Sequence, residues 1–350
     1  MGKIKMKIYL LNCMVTGLPF VKLICRNMPI AGIISIKKKC AGSITEYYDY
    51  EPFCIEQNIS YIAVDTYSLK SEADRERLLA LDVDIAITSA WQRLVPEWFI
   101  KHCSIGIIGV HGSAVGISGG RGRSPQNWAL ILGHKKFSLS IFWIDTNIDS
   151  GKVIDTKEYE YELIDDISIS YHKAAICMAE MIIENIKNGN IVKGYGVEQE
   201  GEAGYFPKRI AADGMIDWKR KCCEIYDFVR AITIPYPCAY TTINGHQVKV
   251  VRCKYMKTES TLLDSYHCGE IIMIAANLSI WVKCRDGVIE ILEYLNEDGV
   301  EIKEGQIFDD CNFKEQIKNI IERHNNEVGL PVASVLCQLL EQDGENGDGN

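Results

Sequence analysis

His111 and Asp149 are the residues whose types and places in the chain suggest chemistry. The apolar run 105–110 reads as a strand, and His111 stands just past its end. The run 138–144 reads as the next strand, and Asp149 follows it within a short loop. Neighbouring strand ends would bring an imidazole and a carboxylate together at the ligand edge of a sheet, as a natural acid–base pair. A histidine in a loop is more often structural, so the spacing alone leaves both readings open. Between the two lies Gly119-Gly120-Arg121-Gly122-Arg123. Two guanidiniums on pliable backbone suit a phosphate, and they suit equally a solvated turn whose arginines pack on nearby carboxylates.

The flanking sequence must supply the scaffold. Apolar runs at 7–11, 30–36, 83–88, 105–110 and 138–144 alternate with helix-patterned segments at 17–27 and 69–81. The alternation predicts an α/β fold: an open, mostly parallel, Rossmann-like sheet with helices on both faces. A long helix is predicted over 168–188, with Tyr171, Ala175, Met178 and Ile182 on one face and Gly189 as its stop. Residues 191–204 read as a linker. Beyond it, Asp217 is placed to cap a helix with Trp218, Cys222, Ile225, Val229 and Ile232 on its apolar face, ended by Pro235 and Pro237. Strand-like runs with turn signals at Asn244-Gly245 and Asp286-Gly287 then predict a smaller antiparallel β domain, an OB-like barrel. The expected organisation is a catalytic domain at 1–190, the linker, the β domain at 205–298 and an extension at 299–350. That extension carries a helix at 313–324 and an acidic, glycine-rich tail at 341–350, which is expected to be disordered.

The 350 residues suit two domains. With 38 basic and 47 acidic side chains the net charge is −9, which weighs against a general nucleic-acid binder. No apolar run approaches the roughly 20 residues of a membrane span. The basic start followed by the short run 8–11 reads as a strand, not a secretory signal. The 14 cysteines are scattered and form no C-x-x-C, so free thiols in a reducing cytoplasm are expected and a metal site is not. After the first strand stands Asn12-Cys13-Met14-Val15-Thr16-Gly17 where a dinucleotide fold would carry G-x-G-x-x-G. Neither the Walker phosphate loop nor G-x-S-x-G occurs.

Several ordered motifs add to this reading. They are His111-Gly112-Ser113, Arg121-Gly122-Arg123-Ser124-Pro125, Trp128-Ala129 and Asp149-Ser150-Gly151-Lys152-Val153-Ile154. Upstream stands Ala90-Trp91-Gln92-Arg93-Leu94-Val95-Pro96. Downstream stand Phe206-Pro207-Lys208-Arg209, Asp213-Gly214-Met215-Ile216-Asp217-Trp218 and a stretch from Arg230 to Pro237. In this order they resemble the folate-dependent formyltransferases, which include methionyl-tRNA formyltransferase and the amino-sugar N-formyltransferases, over roughly residues 6–295. The sequence departs from that pattern twice. The family's catalytic asparagine, two residues before the histidine, is Gly109. The rigid Leu-Pro after the serine is replaced by Gly116-Ile117-Ser118.

The resemblance implies transfer of a formyl group from 10-formyltetrahydrofolate to an amine, without a metal. It makes protonated His111 the donor to the negative charge that develops on the formyl oxygen, and Asp149 the group that raises the imidazole's proton affinity and relays the amine's proton through water. The family asparagine is a further donor, whose loss typically costs about 2.7–4 kcal/mol. Gly109 offers none, so a backbone N–H, Ser113, Gln126 or Asn127 stands in, or turnover is reduced. The implied folate pocket lies between the 91–95 and 144–149 loops, lined by Trp91, Leu94, Val95, Ile144 and Asp145. Core packing is an equal reading of Trp91 and Leu94, and the better one of Trp128. Arg121 and Arg123 are then candidates for a nucleotide diphosphate. The stretch Thr233-Ile234-Pro235-Tyr236-Pro237 resembles the sugar-modifying branch, which makes a nucleotide-linked amino sugar the expected acceptor. Two alternatives stand beside it. One is methionyl-tRNA formyltransferase, with Lys249, Arg252, Lys254 and Lys257 as its basic cluster; the other is a folate- or nucleotide-binding homologue of reduced activity. A cytoplasmic protein with a small-molecule partner and no membrane contact is expected, and a homodimer is left open.

Overall fold

The computed structural model describes residues 6–42, 44 and 46–341, so most of the predicted acidic tail lies outside the described residues. The chain forms two compact units that interleave along the sequence. The first takes residues up to 121, 138–159 and 171–202; the second takes 122–137, 160–170 and 203 onward. The sequence reading had instead placed single cuts at 190 and 205.

In chain order the elements of the first half are β1 (Ile8–Asn12), α1 (Leu18–Asn27), β2 (Gly32–Ile36), α2 (Tyr50–Gln57), β3 (Ser60–Val64), α3 (Glu72–Leu79), β4 (Ile85–Ala90) and α4 (Glu97–His102). There follow β5 (Gly106–Ser113), the two-residue β6 (Arg121–Gly122), α5 (Pro125–Ile131), β7 (Lys136–Trp143), β8 (Val153–Glu160) and α6 (Ile167–Lys187). Seven of these strands make one sheet in the order β3-β2-β1-β4-β5-β7-β8. The pairs β1–β2, β2–β3, β1–β4 and β4–β5 are parallel, and β5–β7 is antiparallel. Every residue of β1 and β2 is buried, as a parallel strand covered on both faces requires.

Sequence periodicity identified β1, β2, β4, β5 and β7 within a few residues, and α1, α3 and α6 likewise. It missed α2, β3, α4, β6, α5 and β8. The outermost strands carry weak patterns because they sit at edges. In β8, reading VIDTKEYE, only Ile154 is buried, and charged side chains line the rest as a guard against edge pairing.

The second unit continues with β9 (Tyr205–Phe206), α7 (Cys222–Ile232), β10 (Ala239–Ile243), β11 (His246–Lys257), β12 (Ile271–Ile274), β13 (Ile280–Cys284), β14 (Gly287–Leu295), α8 (Phe313–Glu327) and α9 (Ser334–Glu341). Its five-stranded antiparallel sheet runs β10-β11-β14-β13-β12. The Asn244-Gly245 turn is as expected: both residues have positive φ, 52° and 80°, and join β10 to β11. The second turn is Arg285-Asp286, one residue earlier than predicted, because Cys284 pairs with Gly287. The helix expected from Trp218 begins only at Cys222. Asp217 does not cap it: its carboxylate accepts from the N–H groups of Lys219 and Phe313. Trp218 is fully buried outside the helix, stacked on Phe308.

The segment after β14 returns to the sheet and satisfies both edges. Gly305 and Phe308 donate to Ile271 and Gly269 beside β12, while Asp309 donates to Thr242 on β10. This gives the open strand order a barrel-like closure.

Fourteen free cysteines are spread through the chain. Burial pushes the thiols of Cys13, Cys54, Cys103 and Cys253 up to about 12, so they serve as neutral, small apolar side chains. No helix among the described residues is long and apolar enough to cross a membrane.

At the amino edge of the main sheet Asp84 staples three strands. Its carboxylate accepts from Lys7 N–H at 2.8 Å and Ser104 Oγ at 2.6 Å, and its carbonyl accepts from Ile105 N–H at 2.9 Å. The Lys7 bond first, and the Ser104 bond second, hold its pKa below the ordinary 3.8. The folded-state pKa is depressed, so the stabilisation is complete above the ordinary value and is lost as pH falls through the folded one. Asp84→Ala should destabilise the protein by about 2 kcal/mol at neutral pH. The difference should shrink toward zero as pH falls through the depressed folded-state value, when both proteins are unfolded in urea across pH.

Candidate active site

The strands of the first unit reverse their sequence order at β1 and β4, and β5 lies next to β4. His111 belongs to β5 itself, opposite Ser140 of β7, and is not just past the strand's end as the sequence reading placed it. The antiparallel register also changes how Asp149 arrives. Trp143, the last residue of β7, pairs with Ile108, three residues before His111 along β5. Strand ends therefore do not bring the two residues together; the 144–150 loop does. It leaves β7 with Ile144 N–H bonded to Ile107 O at 2.8 Å and turns back along β5. The Asp145 carboxylate organises it by accepting from Asn147 N–H at 2.9 Å and Ser150 Oγ at 2.7 Å. Asp149 ends the excursion in the left-handed region at φ 50°, a conformation that Asp tolerates better than most residues.

His111 Nδ1 then lies 3.5 Å from Asp149 Oδ2. Nε2 is 2.8 Å from the Gly120 carbonyl and must donate to it, since a carbonyl can only accept. His111 is 8% exposed, whereas the Asp149 side chain is 24% exposed and keeps a path to solvent.

The other predicted residues fall into groups. Ser113 is buried, and its Oγ accepts from Val115 N–H at 3.1 Å. Gly120 packs directly on it: a Cβ there would come within 1.7 Å of that oxygen. Trp91 and Val95 are buried in the apolar core of the first unit, with Ile144 packed against the same cluster. Trp91 meets the Tyr67 ring edge-on at 4.9 Å. Leu94 is 61% exposed and stands off the core. Arg121 Nη2 donates to Gln199 Oε1 at 2.8 Å. The remaining candidates lie in the second unit. Arg123 N–H donates to Phe206 O, the Gln126 amide to Ser170 O and the Asn127 amide to Ala231 O. Trp128 is a core residue, fully buried with its indole N–H on Pro207 O. Among the described residues no group of three or more His, Cys, Asp or Glu side chains is placed to hold a metal.

Two participants had no sequence signal. Gly120 acts through its carbonyl, which any residue type carries. Gln199 lies in the segment read as a linker; its Nε2 donates to both Asp149 O at 2.8 Å and Gly151 O at 2.9 Å.

Residues 22–183 match the family model described as Formyl transferase, and residues 209–309 match Formyl transferase, C-terminal domain. The methionyl-tRNA formyltransferase of Thermodesulfovibrio yellowstonii is 30% identical over 227 residues, which cover 64% of this chain and 69% of that one. The chain belongs to the formyl transferase family. The methionyl-tRNA formyltransferase of Bacillus velezensis is 30% identical over 187 residues, 52% of this chain; the match spans only 57% of that relative's length. The solved N-formyltransferase of Helicobacter canadensis, in complex with folinic acid and dTDP-3-aminofucose, shares the fold at a TM-score of 0.58. It is 15% identical, over 83% of this chain and 100% of that one.

The formyl transferase motif around Asp149 is built on close backbone contact. A Cβ on Gly151 would lie 1.7 Å from the Trp143 carbonyl oxygen, so only glycine lets the loop close beside β7. Gly151→Ala should lower the melting temperature by several degrees, since a backbone clash cannot be relieved by a rotamer change. Thermal unfolding followed by circular dichroism measures this.

Proposed function

We propose that this formyl transferase family member moves a formyl group from 10-formyltetrahydrofolate to the amine of a small molecule. The observation that carries the reading is the imidazole of His111 held between the Asp149 carboxylate at 3.5 Å and the Gly120 carbonyl at 2.8 Å. The folate, when bound, supplies an activated formyl carbon and a nitrogen leaving group.

The 91–95 loop suits a flat, polar-edged heterocycle. Trp91 Nε1, at the start of the loop, is buried without a hydrogen-bond partner. Unmet polar groups of this kind are costly unless something fills them. Val95 and Ile144 give the loop apolar backing, and exposed Leu94 is free to cover a ligand's face.

His111 acts as the donor toward the formyl oxygen. In the free protein its Nε2–H is bonded to Gly120 O, so donation requires exchanging that carbonyl for the substrate oxygen. Asp149, on the other ring nitrogen, keeps the imidazole oriented and receives the amine's proton through water.

Gly109 gives no help by side chain. A Cβ there would meet Ile144 Cγ1 at 2.9 Å and Phe142 Cζ at 3.0 Å, so an asparagine would need both side chains to shift, which supports a site built around glycine. Gly109→Asn should lower the formyl-transfer rate by about tenfold or more, because a misplaced strand shifts His111. Adding Ile144→Ala should recover part of the loss, as read by kcat.

The acceptor is argued from charge. The net charge is −9. In the second unit Lys249 pairs with Glu297 at 3.0 Å and Arg252 with Glu293 at 3.7 Å, while Lys254 stands opposite Glu290 across the strands. Lys249 and Arg252 are thus partnered by carboxylates where an RNA backbone would need them free, which supports a small amine such as a nucleotide-linked amino sugar. The second reading, initiator tRNA, draws support from the names of the curated relatives. Arg121 is turned toward Gln199, so it supports a diphosphate only after leaving that bond.

Purified protein should formylate a member of an amino-sugar nucleotide panel when given 10-formyltetrahydrofolate. His111→Ala and Asp149→Asn should each cut kcat by about 10²–10⁴ with folate binding retained. Formylation of charged initiator tRNA alone would select the second reading. Folate binding with no acceptor formylated would overturn both.

A further inference from the structure

We infer that Gln199 is the positioning residue that holds Asp149 against His111, a role that deepens the formyl-transfer reading and rests on it. Gln199 closes a ring of contacts through the site. His111 Nε2 donates to Gly120 O at 2.8 Å, and the next residue, Arg121, donates from Nη2 to Gln199 Oε1 at 2.8 Å. Gln199 Nε2 donates to Asp149 O at 2.8 Å and Gly151 O at 2.9 Å. Asp149 Oδ2 returns to His111 Nδ1 at 3.5 Å. Each loop that touches the imidazole is tied to the other by one side chain, 78 residues from Arg121 and 50 from Asp149 in sequence.

The chemistry of the group fits the task. A primary amide carries an acceptor and two donors on one plane. The acceptor takes the Arg121 guanidinium, and the two donors are spent on the two carbonyls that flank Ser150. Asp149 sits at φ 50°, where its carboxylate direction depends on how its peptide units are held. By fixing the Asp149 and Gly151 carbonyls, Gln199 fixes the carboxylate. Glutamate in its place would still accept from Arg121 but would turn acceptor oxygens toward two carbonyls.

Gln199→Glu, matched in shape, and Gln199→Ala are compared with the full-length wild type. Both should lower kcat by about 10–100-fold, while KM for 10-formyltetrahydrofolate changes less than threefold, since the folate loop is untouched. Nitrogen-15 NMR of the His111 ring reads the same geometry without turnover: the Nδ1 resonance should move in both variants. Wild-type kcat in Gln199→Glu, or unchanged His111 resonances in both variants, would overturn the assignment. If the wild type formylates no acceptor, the formyl-transfer reading fails by itself. The ring resonances then still decide whether Gln199 sets the His111–Asp149 alignment.

Discussion

The site depends on one constraint: an antiparallel strand must hand its carboxylate back to a histidine it has already passed. β7 runs against β5, so its end lies beside Ile108 and not beside His111. The chain has to double back through the 144–150 loop. That return is tight enough to forbid a Cβ at Gly151 and to place Asp149 in the left-handed region. The spacing of Asp149, Ser150 and Gly151 is thus a statement about backbone clearance. Asp145 and Gln199 act on the same few peptide units by hydrogen bonds that the loop cannot make with a strand, and Ser150 Oγ holds the Asp145 carboxylate.

The imidazole is held from both sides. One partner is an anion and the other a neutral carbonyl, and both accept. Nε2 donates to the Gly120 carbonyl, so release of that carbonyl is the event that would expose it.

Much of this was readable from residue order, although not all for the reason first inferred. His111 and Asp149 do meet, but the parallel strand ends imagined for them do not exist; the loop makes the contact. The buried strands β1, β2 and β4 announced themselves because both faces are apolar. Edge strand β8 did not, because its exposed positions are charged. Trp128 was correctly read as core, whereas Asp217 was misread as a helix cap: an aspartate before a helix looks alike whether it bonds the first turn or reaches Phe313 far along the chain. Gln199 and the Gly120 carbonyl left no trace, since a glutamine in a glycine-containing stretch has no period and a peptide oxygen has no letter.

The second unit reaches its closed form late in the chain. The five strands end at Leu295, yet residues 305–309 hydrogen-bond to both outer rows, with Ile216 N–H adding a bond to Tyr240 O on β10. Asp309 is also where the matched C-terminal family region stops. A fragment cut after the last strand would therefore lose partners along both borders and leave them more open to pairing with another copy. The peptide that looks like a trailing connector covers those borders.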